Sequence, residues 1–252
     1  MTPSRLPSLL AVAAVLTAAA CGGSSGSGGS GGPGATSSKA ADSPKPAPLT
    51  SPSTAAAAAK INLQAADLPG FKATPADDSS DDDAEEKKAE EELAKCVGAT
   101  KVDADATYSS DDFSKGESLP SLTISSEVDF NTDAEVVKKD LAGFQSDKAT
   151  SCLQKFVREA LASATEGATL IAPTVTRLTP PATGTDATFG FHMATGVAAG
   201  GQKIPISFDI LGLAKDRTEV TLLMVGAGTA VPEAQRDALF AKLAARAEAN
   251  AL

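Results

Sequence analysis

Residues 169–225 constrain the fold more than any other part of the chain, because apolar and polar side chains alternate there in four consecutive segments. Residues 186–197 alternate through Ala187, Phe189, Phe191, Met193, Thr195 and Val197, residues 203–213 through Ile204, Ile206, Phe208 and Ile210, and residues 217–225 through Val220, Leu222 and Met224. A period of two with one apolar face is the mark of a half-buried strand. The first segment, 169–178, is interrupted by Pro173, which cannot donate to a ladder and so places a bulge or a sheet edge there. The links are Pro180-Pro181-Ala182-Thr183-Gly184, Gly200-Gly201 and Ala214-Lys215-Asp216. These are hairpin lengths, too short for the crossover that parallel strands need. Four strands in an antiparallel meander follow.

Upstream, Leu122, Ile124, Ser126, Val128 and Phe130 alternate with Ser121, Thr123, Ser125, Glu127 and Asp129, another half-buried strand. Thr132 followed three residues later by Glu135 reads as a capping box, opening a helix with Val137, Leu141 and Phe144 on one face. A second helix from about residue 150 carries Cys152, Leu153, Phe156, Val157, Ala160 and Leu161 in one stripe. Pro232 starts a last helix with Leu239, Phe240, Leu243 and Ala247 facing inward, laid over the sheet. Residues 97–120 read as loop with at most a short strand. The expected fold is therefore α+β, a single antiparallel sheet in the order strand, two helices, four-stranded meander and C-terminal helix, with helices packed on it.

The N-terminus speaks about location. Arg5 precedes the apolar run Leu9 to Leu16, which closes on Thr17-Ala18-Ala19-Ala20-Cys21. This is a secretory signal layout, shorter than the roughly 20 apolar residues of a membrane span. Small residues ending on Cys21 resemble the bacterial lipobox, which makes residues 1–20 a lipoprotein signal peptide and Cys21 a diacylated N-terminus; an ordinary signal cleaved near Ala20 is the alternative. Residues 22–54 are almost wholly Gly, Ser, Ala, Pro and Thr, a composition that cannot bury enough surface to fold. Residues 21–59 are expected to be a disordered tether without secondary structure, and 60–252 a single domain that opens on 60–70.

With Cys21 carrying lipid, Cys96 and Cys152 remain as an even pair in an oxidising compartment, and a disulfide between them is the expected assignment. Closing a loop of about 57 residues contributes roughly 4 kcal/mol in the chain-entropy description. Residues 77–92 hold ten acids against Lys87 and Lys88. Asp77, Ser79 and Asp81 are spaced like calcium ligands, but Asp82 stands where the loop needs Gly and Lys88 where it needs Glu, so the segment reads as a solvated run entering a helix near Ala84 that delivers Cys96 to its partner.

Twenty-two basic against 32 acidic residues leave a net charge of −10, which argues against a nucleic-acid partner. Two Cys and one His fall short of a four-ligand zinc site. His192, the only imidazole, has no G-x-S-x-G beside it and reads as a structural strand residue. Gly226-Ala227-Gly228 lacks the third glycine of a dinucleotide fingerprint and reads as a connector. Carboxylate pairs for glycoside hydrolysis cannot be picked out among so many acids, and the aromatics that line such clefts are only 4% of the chain. What remains is the alternate face of the meander, Thr188, Gly190, His192 and Ala194 with Ser207 and Asp209. It is either a shallow ligand groove, with His192, Ser207 and Asp209 as its candidate residues, or a plain solvent-facing surface. No catalytic residue, metal ligand or cofactor is assigned.

Asp67-Leu68-Pro69-Gly70, Ser125-Ser126-Glu127-Val128, the Ala-Thr-Ser-Cys152-Leu helix start and the closing meander and helix together resemble actinobacterial lipoproteins related to the extracellular sensor domain of mycobacterial serine/threonine kinases. The resemblance spans roughly 60–250 and implies a helix-flanked antiparallel sheet, a cleft and a ligand-sensing role without catalysis; one disulfide is available here where the kinase sensor has two. The expected function is a membrane-anchored extracytoplasmic lipoprotein on the outer face of the cell membrane, with a non-catalytic domain binding a small molecule, envelope component or protein. A secreted carboxylate-dependent hydrolase of cell-envelope material is the alternative, and carriage of a hydrophobic ligand a third reading that wants a large apolar cavity.

Overall fold

The structure, a computed structural model, describes residues 49–76, 84–99, 104–164, 169–181, 183–199 and 202–252. Cys21, the tether up to residue 48 and the calcium-like positions Asp77, Ser79 and Asp81 lie outside them. In chain order the elements are α1 (Ser51–Ile61), a single 3-10 turn (Ala65–Asp67), β1 (Lys72–Thr74), α2 (Ala84–Val97), β2 (Ala106–Ser109), β3 (Asp112–Lys115), β4 (Ser121–Phe130), α3 (Ala134–Gln145), α4 (Ala149–Ala164), β5 (Thr169–Arg177), β6 (Ala187–Ala199), β7 (Gln202–Lys215), β8 (Thr218–Ala227) and α5 (Glu233–Asn250). The architecture is α+β as expected, with one antiparallel sheet of eight strands and five α-helices among the described residues.

The strands run β1-β3-β4-β8-β7-β6-β5, and β2 pairs with the far half of β4 on the edge it shares with β3. The meander β5 to β8 forms as its spacing predicts, and β4 joins it by pairing along its whole length with β8, Ser121 opposite Ala227 and Phe130 opposite Thr218. Strand β5 is an edge, and its register shifts between Ile171 and Thr174, where Pro173 interrupts the ladder.

Helices cover both faces, which corrects the expectation of half-buried strands. On one side Phe191, Met193, Phe208, Ile210 and Leu223 meet Val97 of α2 and Leu153, Phe156, Val157 and Leu161 of α4. Beside them α3 seats Val137 and Leu141 on Ala214 of β7. On the other side Ile124, Val128, Phe130, Leu211, Leu213, Leu222 and Met224 meet Ala58 and Ile61 of α1 and Leu239, Phe240, Leu243 and Ala247 of α5. Burying each larger apolar side chain contributes about 1.5–3 kcal/mol. Every residue from Ile206 to Ala214 is consequently buried, and so is every residue from Ser126 to Phe130, including Glu127 and Asp129 of the face expected to be wet. Packing also explains Gly212, since a Cβ there would come within 2.1 Å of the Phe189 ring, which lies across it and stacks on Phe144 at 4.9 Å.

Cys96 and Cys152 form the expected disulfide, with Cα atoms 5.7 Å apart, and join α2 to α4. Three local expectations are corrected. The ordered chain begins before residue 60: α1 occupies part of the expected tether, because Ser51, Pro52 and Ser53 supply a helix start and the alanines after Thr54 have the highest helix propensity of any residue. The cap of α3 is Asp133, whose side chain accepts from the Glu135 amide at 2.9 Å, and not Thr132, whose hydroxyl donates to Asp105 instead. Residues 97–120 hold two strands, β2 and β3.

A polar knot fastens α1 to the sheet. Asn62 Nδ2 donates to the Tyr108 carbonyl at 2.8 Å, the Leu63 amide donates to Ser126 Oγ at 2.9 Å, and Ser126 Oγ donates to Asn62 Oδ1 at 2.8 Å. One turn further on, Asp67 takes both Arg246 nitrogens at 2.8 and 2.9 Å, Lys242 at 2.9 Å and the Gln64 amide at 2.9 Å. Burial pushes the Asp67 carboxyl up, but these hydrogen bonds from Arg246, Lys242 and Gln64 outweigh it and hold it down at about 2.

Candidate functional site

The two-residue link between β6 and β7 sets their register, and that register puts His192 directly opposite Asp209. Their side chains meet: His192 Nδ1 lies 2.5 Å from Asp209 Oδ1. From above, the first turn of α5 brings Arg236, whose Nη1 donates to Asp209 Oδ2 at 2.9 Å and whose Nε donates to Asp237 Oδ1 at 2.9 Å. The row His192, Asp209, Arg236, Asp237 thus runs from β6, next to the edge strand, to the N-terminal end of the covering helix. The Asp209 side chain is 1% exposed, Arg236 10%, His192 36% and Asp237 45%, so only the two ends of the row reach solvent. Burial alone would lower the Arg236 guanidinium, but its hydrogen bonds to Asp209 and Asp237 outweigh this and hold it above its ordinary value.

Of the three expected groove residues, the structure brings His192 and Asp209 together and sets Ser207 apart. Ser207 is buried beneath the connector from β8 to α5, and its hydroxyl donates to the Thr229 carbonyl at 3.3 Å. The β7 part of the expected groove is therefore floor beneath α5. What stays open is the strip of β5 and β6, where Thr174 and Thr176 are exposed and Thr188, His192 and Ala194 are half-buried. Gly190 lies under Leu178 and Pro180, where a Cβ would come within 3.0 Å of Leu178 Cβ.

Arg236 and Asp237 were not among the residues expected from sequence. A signal for Arg236 was present: it falls three and four residues before Leu239 and Phe240, on the inward stripe of α5 one turn earlier. A cation on that stripe calls for a buried acid beneath it.

Chemically, Asp209 accepts the Nδ1 proton, fixes the imidazole plane and turns Nε2 outward as the group available to a ligand. No neighbouring hydroxyl on the strip is placed as a nucleophile by its hydrogen bonds: Thr176 Oγ1 donates to the His192 carbonyl and Thr174 Oγ1 to the Ala194 carbonyl, both at 3.3 Å. Among the described residues no group of three His, Cys, Asp or Glu side chains is placed to hold a metal ion, and no helix is long and apolar enough to cross a membrane. Compared with family models, characterised proteins and solved structures, the chain matches none.

Proposed function

We propose that the protein is a lipid-anchored extracytoplasmic lipoprotein, held to the outer face of the cell membrane through Cys21, whose domain binds a small molecule, envelope component or protein without transforming it. Relation to the sensor domains of mycobacterial kinases is part of this reading. The observation that carries it is the Cys96–Cys152 bridge, which supports an oxidising compartment and leaves Cys21 as the unmatched cysteine after an apolar leader. The strip around His192 is the surface assigned to the ligand. Its outward imidazole, small floor and hydroxyls already engaged with backbone suit recognition more than covalent chemistry.

One observation favours a hydrolase of a kind other than the carboxylate-dependent one, with His192 as its base: a carboxylate on Nδ1 is how a general base is oriented. It lacks a nucleophile beside it, which keeps binding ahead.

The test is membrane fractionation of wild type and Cys21→Ser in the native host. Wild type is expected in the membrane fraction and the variant in the soluble fraction; equal solubility of the two defeats the anchor. Native mass spectrometry of the full chain from gently extracted envelope then reads the ligand, and a co-purifying mass lost in His192→Gln is the result expected.

A further inference from the structure

The strip around His192 is walled at both ends. At one end Gly190 of its floor lies under Leu178 and Pro180, and at the other the Ile171 side chain lies over Gly196, its Cδ1 3.0 Å from where a Cβ would stand. Ile171 is 40% exposed, an unusual setting for a large apolar side chain in this molecule. As an end wall it has a use. Between the walls the open floor is His192 and Ala194, directly opposite Thr176 and Thr174 of β5. Two residues span about 7 Å along a strand, which suits a small molecule rather than a polymer laid along the sheet.

The hydrogen-bond polarity of this floor is one-sided. A carbonyl only accepts, so Thr176 Oγ1 gives its single proton to the His192 carbonyl and Thr174 Oγ1 gives its own to the Ala194 carbonyl. Each hydroxyl keeps only lone pairs for a ligand. The Asp209 carboxylate, already held by Arg236, likewise accepts; it takes the Nδ1 proton of the neutral imidazole and leaves a lone pair on Nε2. Three acceptors therefore look outward together. The cations of the surrounding elements are turned away or distant. Arg236 lies between Asp209 and Asp237 and is 10% exposed. Arg177 of β5 is on the other face, 4.9 Å over the Phe191 ring and donating to the Phe144 and Ser146 carbonyls. Lys203 shares the face of Asp209 but stands six residues away along β7, about 20 Å.

We propose that this pocket takes a small primary amine in its ammonium form, with the charged head against His192 Nε2 and Thr176 Oγ1 and a short apolar stem between Ile171 and Leu178. The proposal rests on the strip being the ligand surface, and it adds the chemical class of the ligand. A primary ammonium has three donors and no acceptor, the complement of a floor that offers acceptors alone. An anion would meet lone pairs there, beside the carboxylate of Asp237. A quaternary ammonium has the charge without an N–H, and the rings that would cradle one, Phe189 and Phe191, pack towards the other face of β6. The net charge of −10 draws cations to the molecule as a whole.

The test is NMR titration of the 15N-labelled full chain at constant ionic strength and about pH 8, above the ordinary imidazole range. His192 supplies the only imidazole nitrogens to follow. Butylammonium is expected to shift Nε2 saturably, while tetramethylammonium and inorganic phosphate leave it unmoved. Thr176→Val keeps the branched shape and removes the acceptor, so it is expected to weaken butylammonium about tenfold, and Thr176→Ser to keep wild-type affinity. A ligand-free spectrum in which Nε2 carries the proton overturns the proposal, as does saturation by tetramethylammonium or wild-type affinity in Thr176→Val. A shift with acetyl-Gly-Lys-Gly-amide and none with butylammonium would give the site to a protein partner and overturns the small-molecule assignment. Failure of butylammonium to saturate overturns the ligand class, and phosphate then separates two cases. Saturation by phosphate leaves the strip a ligand surface of another class; no response to any probe, with no co-purifying mass on the native chain, removes the ligand surface itself.

Discussion

The two faces of the sheet treat buried acids in opposite ways. On the face covered by α1 and α5, Asp67 and Asp209 each sit against a guanidinium, and all the cations come from one helix: Arg236, Lys242 and Arg246 of α5. On the face covered by α3, Asp129 and Glu219 are directly opposed, and among the described residues Asp129 takes its side-chain hydrogen bond from the Thr107 hydroxyl. The apolar packing is of the same kind on both sides. What differs is the partners brought to the carboxyl: burial pushes both up, but at Asp67 the hydrogen bonds from Arg246, Lys242 and Gln64 outweigh it and hold the group at about 2, whereas at Asp129 the Thr107 hydroxyl does not and burial pushes the group up to about 7. Burial does not decide whether an acid strengthens a fold; the partner brought down on top of it does.

The sharpest way to break this comparison is to remove a cation from the α5 side. Arg236→Ala leaves Asp209 buried against a half-exposed imidazole, and urea unfolding at pH 7 should register a loss of about 3–5 kcal/mol. A loss under about 1 kcal/mol would mean that His192 and water suffice. Asp67→Asn should cost about 2 kcal/mol at pH 7. Because the folded-state pKa of Asp67 is depressed, its contribution is present above about 4 and vanishes as pH falls towards 2, so variant and wild type should converge in acid. On the α3 side the sign should invert: Glu219→Gln is expected to stabilise the chain at pH 8 by about 1 kcal/mol or more and to lose that advantage by pH 5. His192→Gln sharpens the contrast at the low end. It should move stability by less than about 1 kcal/mol while removing whatever the β5–β6 strip binds, a split between stability and binding that Arg236→Ala will not show.

How much of this was legible follows from what each pattern encodes. Strands β6 to β8 and helices α3 to α5 stood out because their apolar periods are long and uninterrupted, and β5 was readable despite the break at Pro173. Strands β1, β2 and β3, of three or four residues each, carry too short a period to be told from loop; β2 and β3 form because β4 offers them an edge, and β1 adds to β3. Helix α1 was hidden by composition, its alanines reading as more of the same low-complexity stretch although they are the best helix formers in the chain. At the site, His192 and Asp209 were placed on one face by alternation alone; that they are direct partners comes from the β6–β7 register. Burial of the polar face, by contrast, is not written in any strand. It depends on α1 and α5 arriving from opposite ends of the sequence to cover it.

That last arrangement sets the path of mechanical load. Chain preceding Ser51 pulls on α1, and α1 passes the force by two routes: through the Asn62, Leu63 and Ser126 knot into β4, an interior strand of the sheet, and through Asp67 to Arg246 and Lys242 near the far end of the sequence. The first route also takes in the Tyr108 carbonyl of β2, an edge strand paired with β4, so the load is divided between an edge and the interior of the sheet. A pull from the N-terminal side is shared among several bonds at once, so the α1–α5 clasp acts as a strain relief between the chain ahead of Ser51 and the surface that carries His192.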